Sequence, residues 1–555
     1  MLSPEYMERV TDNLIELYQD LEDAILEDIA KRIKKNGYLT ATSERQAEVL
    51  IEQGYNVKEI SSLLKPYLED IDEEITDIIN NSSLKHYEDE AKAYRSANKK
   101  LVDISQNERV LNTIENARER LILGNANITK SLGVVYNGQN LGLNDFYKKA
   151  LNQATFKVAS GAFSSQQVVR SLVNDLSDSG IRVINYQQSG RNYTVESAAK
   201  MLVRTTLNQM TGEISFLNAK DMEQDLMEIS AHAGARPSHA EWQGQIVSLS
   251  GDNTKYLSLD DIGYGDVGGF MGANCRHNWY PFFEGISERA WTKEKLDDID
   301  PEPFEFEGKE YTYYEATQKQ RQIERTIRKY KHRVMMYDKV VDDESKLIAQ
   351  VRLQRQRQLY KDFNKAGKLR PTSVNTHVYG YNRSKASKEF WSVRKLNQTL
   401  YGDYLGTKNY KDADRIVNRI KDNNQLWLLE GFKKAVDNED ISVLVGIDRY
   451  IEVSKEIDDK LIGIKTKDGI EIKEYGTHFI DRVIGKHAHD DIPKKGMRRG
   501  VDIKEIKESL LNPNKIKFSI VKNEERNQYI NSAVKVTVDI DRGRLIQTSQ
   551  NRKRR

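Results

Sequence analysis

The chain has 555 residues, 31% of them charged and 38% hydrophobic, with a formal net charge of +2. A chain of this length is too long to fold around a single hydrophobic core, so we expect several domains. With a mean hydropathy of −0.70 and no apolar run near the roughly 18 residues of a membrane span, we expect no membrane segment. The single cysteine, Cys275, excludes an intramolecular disulfide and a cysteine-based zinc cluster.

The first region, residues 1–125, is predicted to be helical and acidic. Ser3 and Pro4 suit the N-cap and first position of an opening helix. That helix carries one apolar stripe, which indicates a buried face. The stripe consists of Val10, Leu14, Leu17, Leu21, Ile25, Ile29 and Ile33. Further helices are expected over 43–54, 57–79 and 94–121, with a basic break at YRSANKK.

Residues 126–300 form the predicted core module. Its first part, 125–240, is expected to be helical with short turns at Ser-Gly pairs. Over 245–285 glycines crowd together in GYGDVGGFMGANC, which indicates irregular loops and short strands.

Residues 301–370 are predicted to form long basic helices. Tyr313 to Phe363 reads as one long helix or a helix pair, and its other faces are rich in Arg, Lys and Gln. Such a face is either solvated or in contact with nucleic acid or an acidic partner. Its thin apolar stripe consists of Ile323, Ile327, Tyr330, Val334 and Tyr337. Residues 371–445 are expected to be a linker and helical connector.

Residues 446–555 are predicted to be a small basic α+β domain. A hairpin with KDG at its turn precedes the helix VDIKEIKESLLNP, which Pro513 stops. The strands KIKFSIV, SAVKVTVDID and RLIQTSQ follow. The fold class is therefore multidomain: a mainly α-helical body with an irregular, loop-rich α+β core module, long basic helices and a small C-terminal α+β domain.

The stretch AHAGARPSHAEWQGQ and the later GANCRHNWYPFFEG concentrate polar side chains among small residues. A metal site is one interpretation, although H-x6-H and C-x-H match no established zinc pattern. A Cys/His nucleophile is another, and it would need a cleft and an activated thiolate. We favour a polar core without metal or cofactor, because irregular buried backbone needs hydrogen-bond partners. Its expected members are His232, Arg236, His239, Trp242, Gln243, Asn274, Cys275, Arg276 and His277.

The strings ISAHAGARPSHAEWQGQIVSLSG and GYGDVGGFMGANCRHNWYPFFEGIS resemble the phage minor capsid protein 2 family. That family is related to the head-morphogenesis proteins typified by phage Mu protein F. Similar blocks follow in order, and the resemblance covers about residues 1–385. It implies a minor head protein of a tailed phage or prophage, associated with the portal and acting in capsid assembly or early DNA delivery.

The C-terminal domain resembles phage nuclease domains of the barnase, EndoU, colicin E5/D and RelE group. The matching order is His-x3-Arg, I-x3-LLNP, R-x2-Y and a final strand pair. RNA cleavage through the 2′-hydroxyl needs an acid/base and cations around the phosphate, and no metal. The expected catalytic residues are His478 as acid/base, Arg482 and Arg526 as phosphate ligands, and Tyr529 and Thr548 in support. HAHD at 487–490 is interpreted as a loop.

Three functional hypotheses follow. The chain is a purely structural head protein whose C-terminal domain binds nucleic acid without cleaving it, or it also delivers a packaged RNase, or it is a bacterial polymorphic toxin that uses a phage-derived packaging module. The expected partners are the portal protein, capsid and scaffold proteins, and DNA or RNA at the basic helices and the C-terminal domain. The N-terminus lacks a signal peptide pattern, and we expect synthesis in the host cytoplasm and a place in the virion, in the head interior or at the portal vertex.

Overall fold

The computed structural model of the protein describes residues 2–37, 57–136, 138–143, 145–146, 149, 165–186, 190–393, 423–486, 499–521 and 524–551. The chain divides into two compact units. Unit 1 comprises Met1–Ala162, Leu172–Asp342 and Arg355–Tyr381, and unit 2 comprises Phe163–Ser171, Asp343–Gln354 and Asn382–Arg555. The helix predicted over 43–54 and the HAHD loop lie outside the described residues. No described helix is both long and apolar enough to cross a membrane.

The N-terminal helices of unit 1 follow the predicted apolar stripe. Ser3 caps the first helix by accepting a hydrogen bond from the backbone N–H of Tyr6 at 3.2 Å. The stripe is interrupted at Val10 and Thr11, so two helices replace the single one expected. The helices of this region are α1 (Pro4–Arg9), α2 (Asp12–Gly37), α3 (Val57–Ser96) and α4 (Glu108–Lys130).

The structure corrects the expectation of a helical region with turns over 125–240. A four-stranded antiparallel sheet lies within that range, in the order β2-β1-β3-β4. Its strands are β1 (Leu132–Tyr136), β2 (Gln139–Gly142), β3 (Arg182–Val183) and β4 (Tyr193–Thr194). The helices α5 (Ser165–Ser179) and α6 (Val195–Asp221) belong to the same range. The strands are too short to show a clear alternation of apolar and polar residues.

The loop-rich region is built on a three-stranded sheet, as expected of short strands among irregular loops. β5 (Leu226–Ile229) is central, with β6 (Ile246–Ser248) and β7 (Trp279–Pro281) antiparallel on either side. The one-turn helix α7 (Pro237–Ala240) lies between β5 and β6 in sequence. Trp279, Phe270 and Trp242 pack with Cys275 in the core beneath the glycine-rich loop.

The basic region forms the predicted helix pair, preceded by the short helix α8 (Lys293–Asp297) and the hairpin β8 (Phe304–Phe306) and β9 (Lys309–Tyr311). The pair is α9 (Tyr313–Val340) and α10 (Asp343–Ala366). A capping box of Thr312 and Glu315 starts α9, and Val341 ends it at a φ of 59°. The whole predicted apolar stripe of α9 is buried, which confirms the periodicity reading.

Unit 2 contains a mixed sheet of five strands in the order β10-β14-β13-β12-β11. The strands are β10 (Glu474–Tyr475), β11 (Lys515–Val521), β12 (Glu524–Ile530), β13 (Val534–Asp539) and β14 (Arg544–Gln550). β10 pairs parallel with β14, and the other pairs are antiparallel. The sequence predicted β11, β13 and β14 and missed β12, while β10 lies at the end of the second arm of the predicted hairpin. At the predicted KDG turn, Gly469 has a φ of 87° and an isolated bridge joins Lys465 and Glu471.

Helices supply the rest of the core of unit 2. They are α11 (Asn423–Asp437), α12 (Ile447–Lys460), α13 (Thr477–Ile484) and α14 (Ile503–Leu511), and α14 ends before Pro513 as predicted. Phe479 and Ile480 of α13 are buried in one cluster with Tyr529 and Val536 of the sheet. Phe432 of α11 belongs to the same cluster, although it precedes residue 446, at which the C-terminal domain was predicted to start. That boundary stays a prediction.

The edge strand β11 is exposed along its length. Ile516, Phe518 and Ile520 are 36%, 59% and 62% exposed. These three side chains alternate along the strand and therefore share one face of the sheet. Lys515 and Lys517 lie on the other face.

Candidate functional site

Strand pairing brings the two polar stretches of the core module together. Ile229 at the end of β5 pairs with Trp279 at the start of β7, and this register continues as Ser230 donates its backbone N–H to Asn278 O at 2.7 Å. The segments that leave β5 and enter β7 therefore run side by side. His232 lies three residues after the end of β5, and His277 lies two residues before the start of β7.

Three donor atoms converge between these segments and α7. His239 Nδ1 lies 3.3 Å from His277 Nδ1, and Cys275 Sγ lies 3.9 Å from the former and 3.6 Å from the latter. All three side chains are buried, with exposed fractions of 1% to 2%. Among the described His, Cys, Asp and Glu side chains, these three form the one group with metal-ligand spacing.

Aromatic rings enclose the donor atoms. The His277 ring stacks on His232 at a centroid distance of 4.4 Å and meets the edge of Trp242 at 5.0 Å. Trp242 also lies 4.5 Å from the His239 ring. The group is thus screened from water on several sides by rings.

Gln243 fixes the orientation of the His277 ring. Its Oε1 accepts the backbone N–H of His232 at 3.2 Å and faces His277 Nε2 at 3.2 Å. A backbone N–H needs an acceptor, so the oxygen of this amide must point inward. The same oxygen is then the partner of His277 Nε2.

The remaining predicted core residues contact loop backbone or neighbouring helices. Arg236 donates to Ala273 O at 2.9 Å, and Arg276 contacts His232 Nδ1 at 3.2 Å. Asn274, at a φ of 56°, donates its backbone N–H to Thr205 Oγ1 at 3.0 Å. These are the contacts expected of side chains that hold irregular backbone, and that role stays a prediction.

Burial keeps the group uncharged. It lowers the pKa of His232 and of His239 to about 4 and lowers the pKa of His277 well below its usual range. Burial also raises the pKa of the Cys275 thiol, although hydrogen bonds act in the opposite direction. A protonated thiol is a poor nucleophile, which counts against the Cys/His nucleophilic interpretation.

The sequence reading missed the part played by α6. Asn208 Nδ2 donates to Cys275 O at 2.5 Å, and Arg204 Nε donates to Met7 O at 3.0 Å. The available signal was a row of polar residues at helical spacing on a helix whose other buried positions are mostly apolar. Its buried members are Arg204, Asn208, Thr211, Ser215 and Asn218.

In unit 2, the structure brings His478 and Arg482 together. They lie one turn apart on α13, and Arg482 Nε donates to His478 Nε2 at 3.2 Å. His478 is exposed. The pairing predicted from His-x3-Arg is therefore present.

Arg526, Tyr529 and Thr548 occupy other positions. Arg526 forms an ion pair with Glu524 on its own strand. Tyr529 is buried, and its hydroxyl donates to Asp468 Oδ1 at 2.7 Å. Thr548 is buried as well and donates to Lys535 O at 3.1 Å.

Strand geometry explains why R-x2-Y does not converge. Tyr529, Val536 and Thr548 stand in one row across three strands, because their backbones are paired. Arg526 is three residues from Tyr529, and side chains an odd number apart on a strand point to opposite faces. Arg526 and Tyr529 therefore belong to different surfaces of the sheet.

Residues 2–365 match the family model described as phage minor capsid protein 2. A structural protein of Lactococcus phage LL-H is 27% identical over 212 residues, which is 37% of this chain and 54% of that protein. A structural protein of Lactococcus phage mv4 is 32% identical over 88 residues, which is 16% of this chain and 63% of that protein. The chain thus spans about half to two thirds of these relatives. No solved structure matches significantly.

Proposed function

Because the chain belongs to the phage minor capsid protein 2 family, we propose that it is a minor head protein of a tailed phage or prophage, located in the virion and associated with the portal. The observation that carries the proposal is the match over residues 2–365, which is more than half of the chain. The two relatives described as structural proteins support it. This family favours a head protein over a bacterial toxin built on a packaging module.

An open groove of about 860 Å³ in unit 1 suits contact with another head protein, and we propose the portal as its occupant. It lies among α4, α6 and the glycine-rich loop. Leu123 and Val267 line it and are 64% and 78% exposed, which is unusual for large apolar side chains. Exposed apolar side chains that line a groove are typical of protein–protein contact sites.

The test is association with virions and portal. The full chain is expected to be present in purified virions and to co-purify with the portal protein made from the same genome. Leu123→Asp with Val267→Asp is expected to weaken that co-purification at least about tenfold, since about 1.4 kcal/mol corresponds to that factor. Ile286→Asp, at a residue 62% exposed outside the groove, is the matched control. Absence from virions and no co-purification would refute the proposal.

The exposed His478–Arg482 pair favours a second activity, and we propose that unit 2 cleaves RNA without metal. His478 would act as acid/base and Arg482 would bind phosphate. Arg526 was expected to bind phosphate as well, but it lies on the face of the sheet opposite Tyr529 and pairs with Glu524, so the proposal does not include it. Since the hydroxyls of Tyr529 and Thr548 are already bonded inside the core, these two residues would support the sheet instead of contacting substrate.

Full-length protein incubated with RNA and tRNA in the presence of a chelator tests this activity. Cleavage is expected from the wild type and is expected to fall about 100-fold or more in His478→Ala, the usual effect of losing a general acid/base. Lys504→Ala, which removes an exposed positive charge from the same unit, is the control. Intact RNA with the wild type would remove the nuclease proposal and leave the head-protein proposal untouched.

The basic helix pair offers less free positive charge than its sequence suggests. Arg328 and Arg333 of α9 are buried and pair with acidic side chains of unit 1. Contact of α9 and α10 with DNA or RNA stays a proposal that rests on the remaining basic side chains.

A further inference from the structure

The two imidazole rings of the core module present lone pairs to each other. His239 Nε2 faces Gly268 O at 2.9 Å, and His277 Nε2 faces Gln243 Oε1 at 3.2 Å. Both oxygens are acceptors, so each ring carries its proton on Nε2. The two Nδ1 atoms, 3.3 Å apart, are then unprotonated acceptors that face one another inside the protein.

Two facing acceptors in a buried place need a positive partner between them. The Cys275 thiol can donate its one proton to only one of the two rings. A metal cation satisfies both nitrogens and the sulfur at once.

The spacing of the three atoms fits a tetrahedral ion. With metal–nitrogen distances of about 2.0–2.1 Å and a metal–sulfur distance of about 2.3 Å, tetrahedral ligands lie about 3.3–3.6 Å apart. The observed separations are 3.3, 3.6 and 3.9 Å. The outer nitrogens bonded to Gly268 O and Gln243 Oε1 are also the arrangement that orients metal-binding histidines.

We propose that His239 Nδ1, Cys275 Sγ and His277 Nδ1 bind a structural zinc ion that ties α7 and the segment before β7 together. Imidazole and thiolate donors suit Zn²⁺ and disfavour Mg²⁺ or Ca²⁺. On binding, the Cys275 thiol releases its proton to solvent, and the thiolate offsets part of the charge of the ion and of the two arginines. A water molecule completes the tetrahedron, because the described acidic, His and Cys side chains supply three donors.

This inference differs from the polar core without metal that the sequence favoured, and it does not depend on the head-protein role. His232 stacks on His277 but lies outside the group of three converging donor atoms, so we expect it to lie beside the ion without binding it. His232 is therefore the matched control for the loss of a ring from the same cluster.

The experiment uses full-length protein without a polyhistidine tag, made in zinc-supplemented medium and analysed for metal by mass spectrometry. We expect about one zinc per chain in the wild type and in His232→Gln, and at least about tenfold less in Cys275→Ser and His277→Gln. A variant lacking His487 and His489 should keep its zinc, which separates this site from the histidines at 487–490.

If the ligand variants fail to fold, cobalt substitution of the wild-type protein tests whether the site binds metal. Wild-type protein stripped of zinc and reloaded with Co²⁺ is expected to show a sulfur-to-cobalt charge-transfer band and the strong visible absorption of tetrahedral cobalt. Folded wild-type protein that contains no zinc and shows no such band with Co²⁺ would overturn the proposal, as would unchanged zinc in Cys275→Ser and His277→Gln.

Discussion

Arg328 of α9 donates from Nη2 to Glu22 Oε2 of α2 at 2.5 Å, inside unit 1. Its Nη1 donates to Glu196 Oε2 of α6 at 2.7 Å. One guanidinium therefore joins three helices, and its side chain is 9% exposed. Glu22 depends on it for charge compensation, whereas Glu196 is also paired with Lys200 at 2.9 Å.

Arg328→Met is expected to destabilise the protein by about 3–5 kcal/mol, because the nearly buried carboxylate of Glu22 loses its cation and Glu196 keeps only Lys200. Thermal unfolding followed by circular dichroism measures this. Arg325→Met, at an exposed position one turn earlier, should change stability by about 0.5 kcal/mol or less. Equal effects of the two variants would show that the network contributes little.

The buried carboxyl of Glu90 predicts a pH-dependent stability. Burial raises its pKa from 4.5 to about 7, although hydrogen bonds from Ser215 and Asn218 oppose this. The folded state then holds more protons than the unfolded state between these values, so stability is complete below pH 4.5 and falls as the pH rises towards about 7.

Glu90→Gln should remove this loss. We expect the variant to match the wild type near about pH 4.5 and to be more stable by about 3 kcal/mol or less at about pH 8. Melting temperatures across this range test it, with the exposed Glu88→Gln on the same helix as control. Parallel wild-type and Glu90→Gln curves would contradict the assignment.

Gly272 allows the close fold of the glycine-rich loop. A Cβ there would lie 2.5 Å from the backbone oxygens of Asp266 and Val267, whereas a Cβ on Gly268 meets nothing within 4 Å. Gly272→Ala is expected to cost about 1–3 kcal/mol and to reduce zinc content, because it displaces the backbone that leads into Cys275. Gly268→Ala should keep both properties, and a loss of zinc in Gly268→Ala alone would contradict this account.

Tyr529 and His478 are expected to separate stability from catalysis. Tyr529→Phe removes the bond to Asp468 and should lower stability by about 1–2 kcal/mol without changing the rate of RNA cleavage. His478→Ala should lower the rate of RNA cleavage without lowering stability, since the His478 side chain is exposed. Parallel measurements of melting temperature and cleavage test this, and loss of cleavage in a fully stable Tyr529→Phe would return Tyr529 to a direct role.

Long periodic elements were predictable, and short ones were not. The stripe from Ile323 to Tyr337 repeats over several turns, so its burial could be predicted from spacing alone. β1 has five residues and β3 has two, so neither shows a period. Their pairing depends on tertiary contacts that the local sequence does not encode.

The concentration of polar residues in the sequence identified the segments of the candidate site, but the distances between His239, Cys275 and His277 could not be predicted. His239 and Cys275 are separated by 36 residues, and the register between Ile229 and Trp279 sets their approach. No known ligand spacing describes such a pair. In unit 2, the four-residue spacing of His478 and Arg482 was enough to predict that the two side chains meet, because both lie on one helix.

The edge strand β11 has one further consequence for handling the protein. β11 is the outermost strand at one side of the described sheet, so its outer backbone edge has no neighbouring strand there. Next to this edge lies its apolar face, on which Phe518 is 59% exposed. Such an edge is a template on which another extended segment can add. If a second copy of β11 added to this edge, Lys515 and Lys517 of the two strands would bring like charges together. The same seven residues therefore favour the addition of a different strand and disfavour self-association into fibrils.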